Sequence, residues 1–318
     1  MIETYGFVLA DLAETRVALL DWFAVFGRDL PWRRTRDPYR IMVSEIMLQQ
    51  TQVDRVIPKY HAFLEAFPTL EALAAAPTPE VIRAWSGLGY NRRAVNMQRA
   101  ARAVLDEHGG LFPRDVATLL RLPGIGPYTT GAIACFAFEQ DVAFMDTNIR
   151  RVAQRLFVGP ADQAPAKDMQ LLAIAQAAVP PGQGWQWNQA IMELGALICT
   201  AATPACWRCP VRAGCRAYAA WRAADEQVFS AGPAPAPRRR VAERRETPYA
   251  GSSRFYRGRV IEALRGLPSG ITMTLPELGR KIKDDFVDGD LPWLGTLVAG
   301  LARDGLLLLD EDLVRLPQ

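Results

Sequence analysis

Four closely spaced cysteines could hold a metal. They lie within seventeen residues, at Cys199, Cys206, Cys209 and Cys215, and disulfides are rare inside cells. Thiolates this close together are typical of a metal site. Structural zinc more often uses two separated Cys-x2-Cys pairs, whereas a single tight loop suits a cubane iron–sulfur cluster. The spacing therefore favours the cluster and leaves zinc open, while the fifth cysteine, Cys135, lies in an apolar stretch and is interpreted as a core residue.

A glycine-rich turn offers a second place for chemistry. The segment LPGIGPYTTG occupies residues 122–131, between two helical stretches. Gly124 and Gly126 permit backbone geometries that other residues avoid, and a helix is predicted to begin directly after them. Backbone N–H groups that converge at such a point can bind a phosphate without reading a base. A plain connection between two helices explains so short a segment equally well.

Helices must position both features. Up to about residue 225, apolar residues recur at spacings of three and four and strand-like alternation is nearly absent, so residues 1–225 are predicted to form an all-α domain. Residues 226–252 are rich in proline and arginine and predict a linker, either a solvated spacer or a tether that contacts phosphate. Residues 253–318 predict short helices followed by a hairpin, which indicates a small winged-helix-like domain.

Composition narrows the class of protein without naming a partner. Half of the 318 residues are hydrophobic, enough for a sizeable core, and the formal net charge is only +3. Four of the 37 cationic side chains are lysines. Arginine binds phosphate through two parallel hydrogen bonds, although a GC-rich genome would produce the same bias. No run reaches the roughly 18 apolar residues of a membrane helix, and the first residues do not resemble a signal peptide. We therefore expect a cytoplasmic protein without a membrane partner.

Further motifs carry a family resemblance. In chain order they are EIMLQQTQV (45–53), LGYNRRAVN (88–96), LPGIGPYTTGAI (122–133), MDTNIRRV (145–152) and NQAIMELGALICT (188–200). Together with the four cysteines, they resemble the MutY-type adenine glycosylases of the helix–hairpin–helix, Gly/Pro-Asp superfamily. The resemblance covers about residues 15–220. It implies a mainly α, helix–hairpin–helix glycosylase fold of two helical lobes, with a [4Fe–4S] cluster held by the four cysteines.

The resemblance implies four catalytic residues. Glu45 matches the family's general acid, which protonates adenine at N7, and Asp146 matches the carboxylate that stabilises the cationic sugar. Asn148 matches the asparagine that orients this carboxylate, and Tyr128 occupies the position of a catalytic tyrosine or serine. Taken alone, Glu45 would be interpreted as a solvated helical glutamate and Asp146 as a helix cap.

The resemblance also implies a set of DNA contacts. Two wedge loops, at residues 49–51 and 88–90, fill the base stack when a base is flipped out, and the hairpin glycines bind phosphate. Arg33 lies in a motif near the base pocket. The implied DNA-binding residues are Gln49, Gln50, Thr51, Leu88, Tyr90, Gly124, Gly126 and Arg33.

These assignments predict a monofunctional adenine DNA glycosylase of base excision repair. Tyr128 stands where bifunctional relatives carry a Schiff-base lysine, and no lysine lies between Lys59 and Lys167. We expect a monomer at a bacterial nucleoid that removes adenine opposite 8-oxoguanine or guanine in duplex DNA without cutting the strand. The alternatives are a thymine or uracil mismatch glycosylase of the same superfamily and a non-catalytic DNA-binding protein.

Three features depart from the family pattern. Asn91 stands where the family usually has a second tyrosine, and residues 146–148 read Asp-Thr-Asn where many relatives read Asp-Gly-Asn. Residues 253–318 are too short and too helical for the NUDIX-like domain with which the usual family member recognises 8-oxoguanine. The sequence therefore does not predict a preference for 8-oxoguanine over guanine.

Overall fold

The computed structural model describes residues 9–230, 249–268 and 270–317, without the side chains of residues 9–11 and 225–230. Helices dominate these residues, as predicted. They are α1 (Leu9–Phe26), α2 (Pro38–Leu48), α3 (Val53–Ala66), α4 (Leu70–Ala75), α5 (Thr78–Ala84), α6 (Arg92–His108), α7 (Val116–Leu119), α8 (Pro127–Phe136), α9 (Thr147–Ala153), α10 (Asp168–Ala178), α11 (Gly184–Leu197), α12 (Arg216–Ser230), α13 (Ser253–Arg265), α14 (Leu275–Ile282) and α15 (Leu291–Arg303). The strands are β1 (Met273–Thr274), β2 (Leu308–Asp310) and β3 (Leu313–Arg315). Within the described residues, no helix combines the length and the apolar character needed to span a bilayer.

One compact unit consists of Met1–Ile41, Arg114–Leu120 and Gly126–Arg238. In this unit α11 packs against α1, α8 and α9, and α12 packs against a π-helical turn, Gln154–Val158, that continues α9. The fully buried side chains of Leu19 and Trp187 belong to its core. Asn188 of α11 donates a hydrogen bond to the carbonyl of Val142 at 3.0 Å and so ties the chain before α9 to α11.

A second compact unit consists of Met42–Pro113, Arg121–Ile125 and Arg239–Gln318. Helix α6 packs against α4 and α5, and α13 packs against α14, α15 and α5. One hydrophobic cluster includes Ile82 and Val95 of the α5–α6 region together with Val260 and Leu294 of the C-terminal helices. The C-terminal residues therefore share their core with α5 and α6.

The C-terminal residues follow the order α13, β1, α14, α15, β2, β3. Strand β3 lies between β1 and β2 and is antiparallel to both, with Val314 opposite Met273 and Leu309. Thr274 begins α14 in a capping box, in which its N–H donates to the Glu277 carboxylate at 2.9 Å. The boundaries predicted at 225 and 252 stay predictions, since α12 continues to Ser230 and residues 231–248 lie outside the described residues.

Candidate functional site

Asp146 caps the first turn of α9. Its Oδ1 accepts a hydrogen bond from the Ile149 backbone N–H at 2.6 Å, and its Oδ2 accepts one from Asn148 Nδ2 at 3.1 Å. Burial raises the pKa of the Asp146 carboxyl, although these hydrogen bonds and the nearby Arg151 favour its charged form. The carboxylate is therefore partly desolvated and fixed in direction, as a group that stabilises a developing positive charge must be.

Arg151 connects Asn148 to the segment that carries the first cysteine. Its Nη2 donates to Asn148 Oδ1 at 2.8 Å and to the Gly195 carbonyl at 2.7 Å. Its Nε donates to the Cys199 carbonyl at 2.7 Å. Asn148 itself packs closely against Gly195, and only glycine fits there because a Cβ would lie 2.7 Å from Asn148 Cβ. Arg151 lies within the motif that contains Asp146 but was not among the predicted site residues.

The four cysteines line one small cavity together with Arg155, Arg212, Tyr218 and Trp221. Burial raises the pKa of the Cys206 and Cys215 thiols and raises that of Cys209 to about 12. Arg155 donates to the Thr200 carbonyl at 2.7 Å and lies 3.5 Å from Cys199 Sγ. A cation beside the cavity favours thiolates there.

The spacing of these thiols bears on the kind of metal they could hold. Among the described residues, no group of three or more His, Cys, Asp or Glu side chains is placed to hold a single metal ion. A zinc ion bound at about 2.3 Å requires its sulfur ligands within about 4 Å of one another. The four cysteines share one cavity, and the kind of metal that they hold stays a prediction.

The predicted hairpin leads into α8. Gly124 has φ +75°, and a Cβ there would lie 2.5 Å from Asn96 Cβ, so the position requires glycine. Gly126 is the N-cap of α8 and makes no side-chain cap, and Pro127 follows it. No neighbouring atom lies within 4 Å of a Cβ built on Gly126, so the turn that leads into α8 is open on that side.

The remaining catalytic candidates lie on two other helices. Glu45, on α2 in the second unit, is 2% exposed, so it is not the solvated glutamate that its sequence context alone would suggest. Tyr128, in the first turn of α8, is half-buried and packs edge-on against Phe144 with ring centroids 5.4 Å apart.

Arg93 connects the two predicted wedge loops. Its Nη1 donates to the carbonyls of Gln49 at 2.5 Å and Ile46 at 2.7 Å, and its Nη2 donates to those of Leu88 at 3.1 Å and Gly89 at 3.2 Å. Burial lowers the pKa of Arg93 to about 10, which leaves the guanidinium charged at neutral pH. Arg93 lies within the motif LGYNRRAVN but was not among the predicted site residues.

Both wedge loops contain a strained residue. Gln50 has φ +55° and Tyr90 has φ +47°, a region that residues with side chains adopt rarely and that is common at functional sites. Tyr90 is 44% exposed, whereas Leu88 is 5% exposed. Thr51 is half-buried. Tyr90 is therefore the accessible side chain of its loop. The DNA contact predicted for Leu88 stays a prediction, because that side chain is buried.

Arg33 lies in a buried ion-pair network. Its Nη2 is 2.9 Å from Glu193 Oε2, its Nε donates to Gln189 at 2.7 Å, and Arg28 pairs with the same glutamate at 2.7 Å. Burial alone would raise the pKa of Glu193, but the hydrogen bonds from both arginines hold it below its ordinary value. The Arg33 side chain is 9% exposed, so its predicted DNA contact also stays a prediction.

The chain matches known repair proteins over most of its length. A family model described as HhH-GPD superfamily base excision DNA repair protein matches residues 43–176. The chain is 44% identical over 257 residues to the adenine DNA glycosylase of Mycolicibacterium smegmatis, covering 80% of this chain and 82% of that one. It is 42% identical over 234 residues to the human adenine DNA glycosylase, covering 70% of this chain and 42% of that one. The solved structure of a thermostable thymine-DNA glycosylase superposes with a TM-score of 0.62 at 32% identity, covering 66% of this chain and 98% of that one.

These matches confirm the predicted fold and the predicted resemblance. The mycobacterial relative is matched over most of its own length, whereas the chain spans less than half of the human one. The motifs that carried the resemblance lie mostly within the segment that the family model matches. The chain therefore belongs to the adenine DNA glycosylases, within the HhH-GPD superfamily of base excision DNA repair proteins.

Proposed function

We propose that this base excision repair glycosylase removes adenine mispaired with 8-oxoguanine or guanine in duplex DNA. The observation that carries the proposal is Asp146, a partly desolvated carboxylate held in direction by Ile149 and Asn148. Breaking an N-glycosidic bond leaves positive charge on the sugar, and a carboxylate already in place stabilises that charge without reorganisation. The choice of adenine follows the relatives, which are named adenine DNA glycosylases.

Adenine leaves readily only after it is protonated. Glu45 donates a proton to N7 of the flipped adenine, the bond between C1′ and N9 breaks, and the bonding electrons depart with the base. Asp146 stabilises the resulting cationic sugar, and Asn148 supports its ionised form through the 3.1 Å hydrogen bond. Water then adds at C1′ and releases its proton. Glu45 is nearly fully buried, which keeps bulk water away from its carboxyl group.

The reaction ends at an abasic site. Strand cleavage by this superfamily requires an amine that attacks C1′ and forms a Schiff base. Tyr128 in the first turn of α8 offers a phenol, which cannot form an imine. With no lysine between Lys59 and Lys167, the chain offers no amine within the hairpin region, and we assign no lyase activity to it.

Phosphate contacts and wedge side chains hold the DNA. The open glycine turn at Gly124 and Gly126, directly before α8, suits a backbone phosphate. Gln49, Gln50 and Tyr90 fill the space that the flipped adenine leaves, and the positive φ angles of Gln50 and Tyr90 support this role. The enzyme acts as a monomer on the nucleoid DNA of a bacterial cytoplasm.

Cys199, Cys206, Cys209 and Cys215 would hold a [4Fe–4S] cluster, as their shared cavity supports. When bound, the cluster supplies structural cross-linking of the loop and a local charge. Arg155 balances the thiolates through its contact with Cys199 and fixes the loop through the Thr200 carbonyl. Purified protein should be brown and contain about four irons per chain. A colourless protein with full activity and one zinc would contradict this assignment.

A glycosylase assay on labelled duplexes tests the proposed function. The duplexes contain A opposite 8-oxoguanine, A opposite G, T opposite G or U opposite G, each developed with and without alkali. We expect cleavage of the adenine strand, and only after alkali. Release from the T or U duplexes alone would contradict the proposed substrate, and cleavage without alkali would contradict the absence of lyase activity.

Asp146→Asn provides the matched chemical control. Asparagine is isosteric and is also a good N-cap, so the hydrogen bond from the Ile149 N–H can persist and α9 should remain intact. We expect the single-turnover rate to fall by at least about 100-fold, while the thermal midpoint stays near that of the parent. Unchanged base release by this variant would remove the central role given to Asp146.

A further inference from the structure

An open cleft runs between the second wedge loop and α13. Its volume is about 830 Å³, and its lining includes Gln50, Tyr90, Arg254 and Glu262. Seven arginines and two carboxylates line it, so the cleft is strongly cationic. The whole cleft lies in the second unit.

Ion pairs neutralise only part of this charge. Asp304 pairs with Arg92 at 3.3 Å and with Arg257 at 2.5 Å, and Glu262 pairs with Arg265 at 3.0 Å. Within the described part of the chain, neither Arg55 nor Arg254 pairs with a carboxylate, and both are exposed. The cleft therefore presents cations that remain available to an anionic partner.

Arg254 lies directly against the wedge tyrosine. Its Nη1 donates to Tyr90 Oη at 2.8 Å. Its guanidinium carbon lies 5.4 Å from the centroid of the Tyr90 ring and 5.0 Å from that of Tyr249. Two aromatic faces thus hold the guanidinium in place while the rest of its donors remain accessible.

A second contact fixes α13 beside the same loop. Arg265 donates to Asn91 Oδ1 at 2.7 Å and to the Ile82 carbonyl at 3.0 Å. Asn91 is the residue that replaces the second tyrosine of the family pattern. Asn91 therefore attaches the second wedge loop to α13 through its hydrogen bond with Arg265.

The other C-terminal helices are less suited to nucleic acid. In helix–turn–helix modules the second helix of the pair enters the major groove. Here that helix is α15, LPWLGTLVAGLAR, which carries one cation, Arg303. Helix α13, SRFYRGRVIEALR, carries four arginines, and it is α13 that borders the wedge loop.

We infer that α13 binds the phosphate backbone of the DNA beside the base pair into which Tyr90 is inserted, with Arg254 as the principal contact. This inference rests on the proposed function, because that function brings duplex DNA to Tyr90. A side chain inserted in the base stack lies within one nucleotide of backbone phosphates, so Arg254, 2.8 Å from Tyr90 Oη, reaches that backbone. The C-terminal helices thereby extend the DNA-binding surface without reading the base opposite adenine.

Salt-dependent binding by full-length variants tests the inference. Arg254→Ala, Arg254→Lys and the matched control Arg280→Ala are made in the Asp146→Asn background, which keeps the DNA intact. Arg280 is exposed on α14 and lies outside the cleft. Dissociation constants are measured from 50 to 300 mM salt for duplexes with A opposite 8-oxoguanine, A opposite G and A opposite T.

For Arg254→Ala we expect dissociation constants about 5- to 10-fold higher on all three duplexes and a salt slope smaller by about 0.9, the loss of one phosphate contact. Arg254→Lys should keep the slope, and Arg280→Ala should match the parent. A loss confined to the 8-oxoguanine duplex would overturn the inference in favour of a base contact, and a value equal to the Arg280→Ala control would overturn it altogether. Failure of adenine release by the parent enzyme would refute the proposed function separately.

Discussion

Two buried arginines organise the two units in different ways. In the first unit, Arg151 donates to the side chain of Asn148, which in turn donates to Asp146. In the second unit, Arg93 donates to backbone carbonyls of both wedge loops and to the Thr51 hydroxyl, and to no carboxylate among the described residues. One arginine therefore orients a side chain that contacts Asp146, and the other holds the backbone of two loops.

The two arginines also differ in the charged groups that surround them. Burial lowers the pKa of both guanidinium groups. Near Arg151, Cys199 and Asp146 oppose that shift, whereas near Arg93 only Tyr90 does. Arg93 stays charged because it gathers carbonyls at the C-terminal end of α2, where a helix leaves its last acceptors unpaired. The first unit thus uses paired charges around Asp146, and the wedge region of the second unit uses one cation against backbone dipoles.

The largest effect should follow from Arg93→Met, because it removes several hydrogen bonds to one charged group. We expect the dissociation constant for a mismatched duplex to rise by about 30-fold and the free energy of unfolding to fall by about 2–3 kcal/mol. Binding titrations and urea unfolding measure the two quantities. Arg99→Met, an exposed position on the same helix, serves as the control. If Arg93→Met lowers the free energy of unfolding but leaves the dissociation constant unchanged, Arg93 stabilises the fold and does not shape the DNA-binding loops.

A smaller effect, of a different kind, should follow from Arg151→Met. Loss of the 2.8 Å contact frees Asn148 and loosens Asp146, so the single-turnover rate should fall about tenfold, as a misplaced catalytic group generally costs. The dissociation constant should change less than about twofold. Arg150→Met is the matched control, since Arg150 is exposed and pairs with Asp168 at the surface. Weakened binding with an unchanged rate would erase the distinction between the two arginines.

The sequence was most informative where chemistry depends on spacing. Cys199, Cys206, Cys209 and Cys215 were grouped from their spacing alone, and the structure brings them to one cavity. Asp146 could be interpreted as a cap or as a catalytic group. The structure makes it the cap of α9, which leaves the catalytic role as a proposal. The helical fold also followed from periodicity, since apolar spacing is a local property.

The sequence was least informative where function depends on long-range contacts. Arg93 and Arg151 look like ordinary members of an arginine-rich chain until their distant partners are known, since each donates to a carbonyl more than 40 residues away. The burial of Glu45 and of Leu88 likewise depends on packing that no local pattern encodes. Asn91 was recognised as a departure, but its bond to Arg265 joins residues 174 positions apart. Tertiary hydrogen bonds of this kind leave no periodic signal.

The smallest expected effect concerns the pH dependence of base release and the contribution of Asp146 to it. Burial raises the pKa of Asp146, and Asn148 opposes this by donating to the charged form. If Asp146 must be ionised, the single-turnover rate falls as the pH drops through its pKa, at a higher pH than an ordinary aspartate would give. Asn148→Ala removes a hydrogen bond to the carboxylate, so the acid limb should move to still higher pH. Arg93→Met should leave that limb in place, because Arg93 contacts no part of this network. The test is the single-turnover rate measured across the acid range for the parent and both variants. If Asn148→Ala does not move the acid limb, Asn148 does not support the charged form of Asp146.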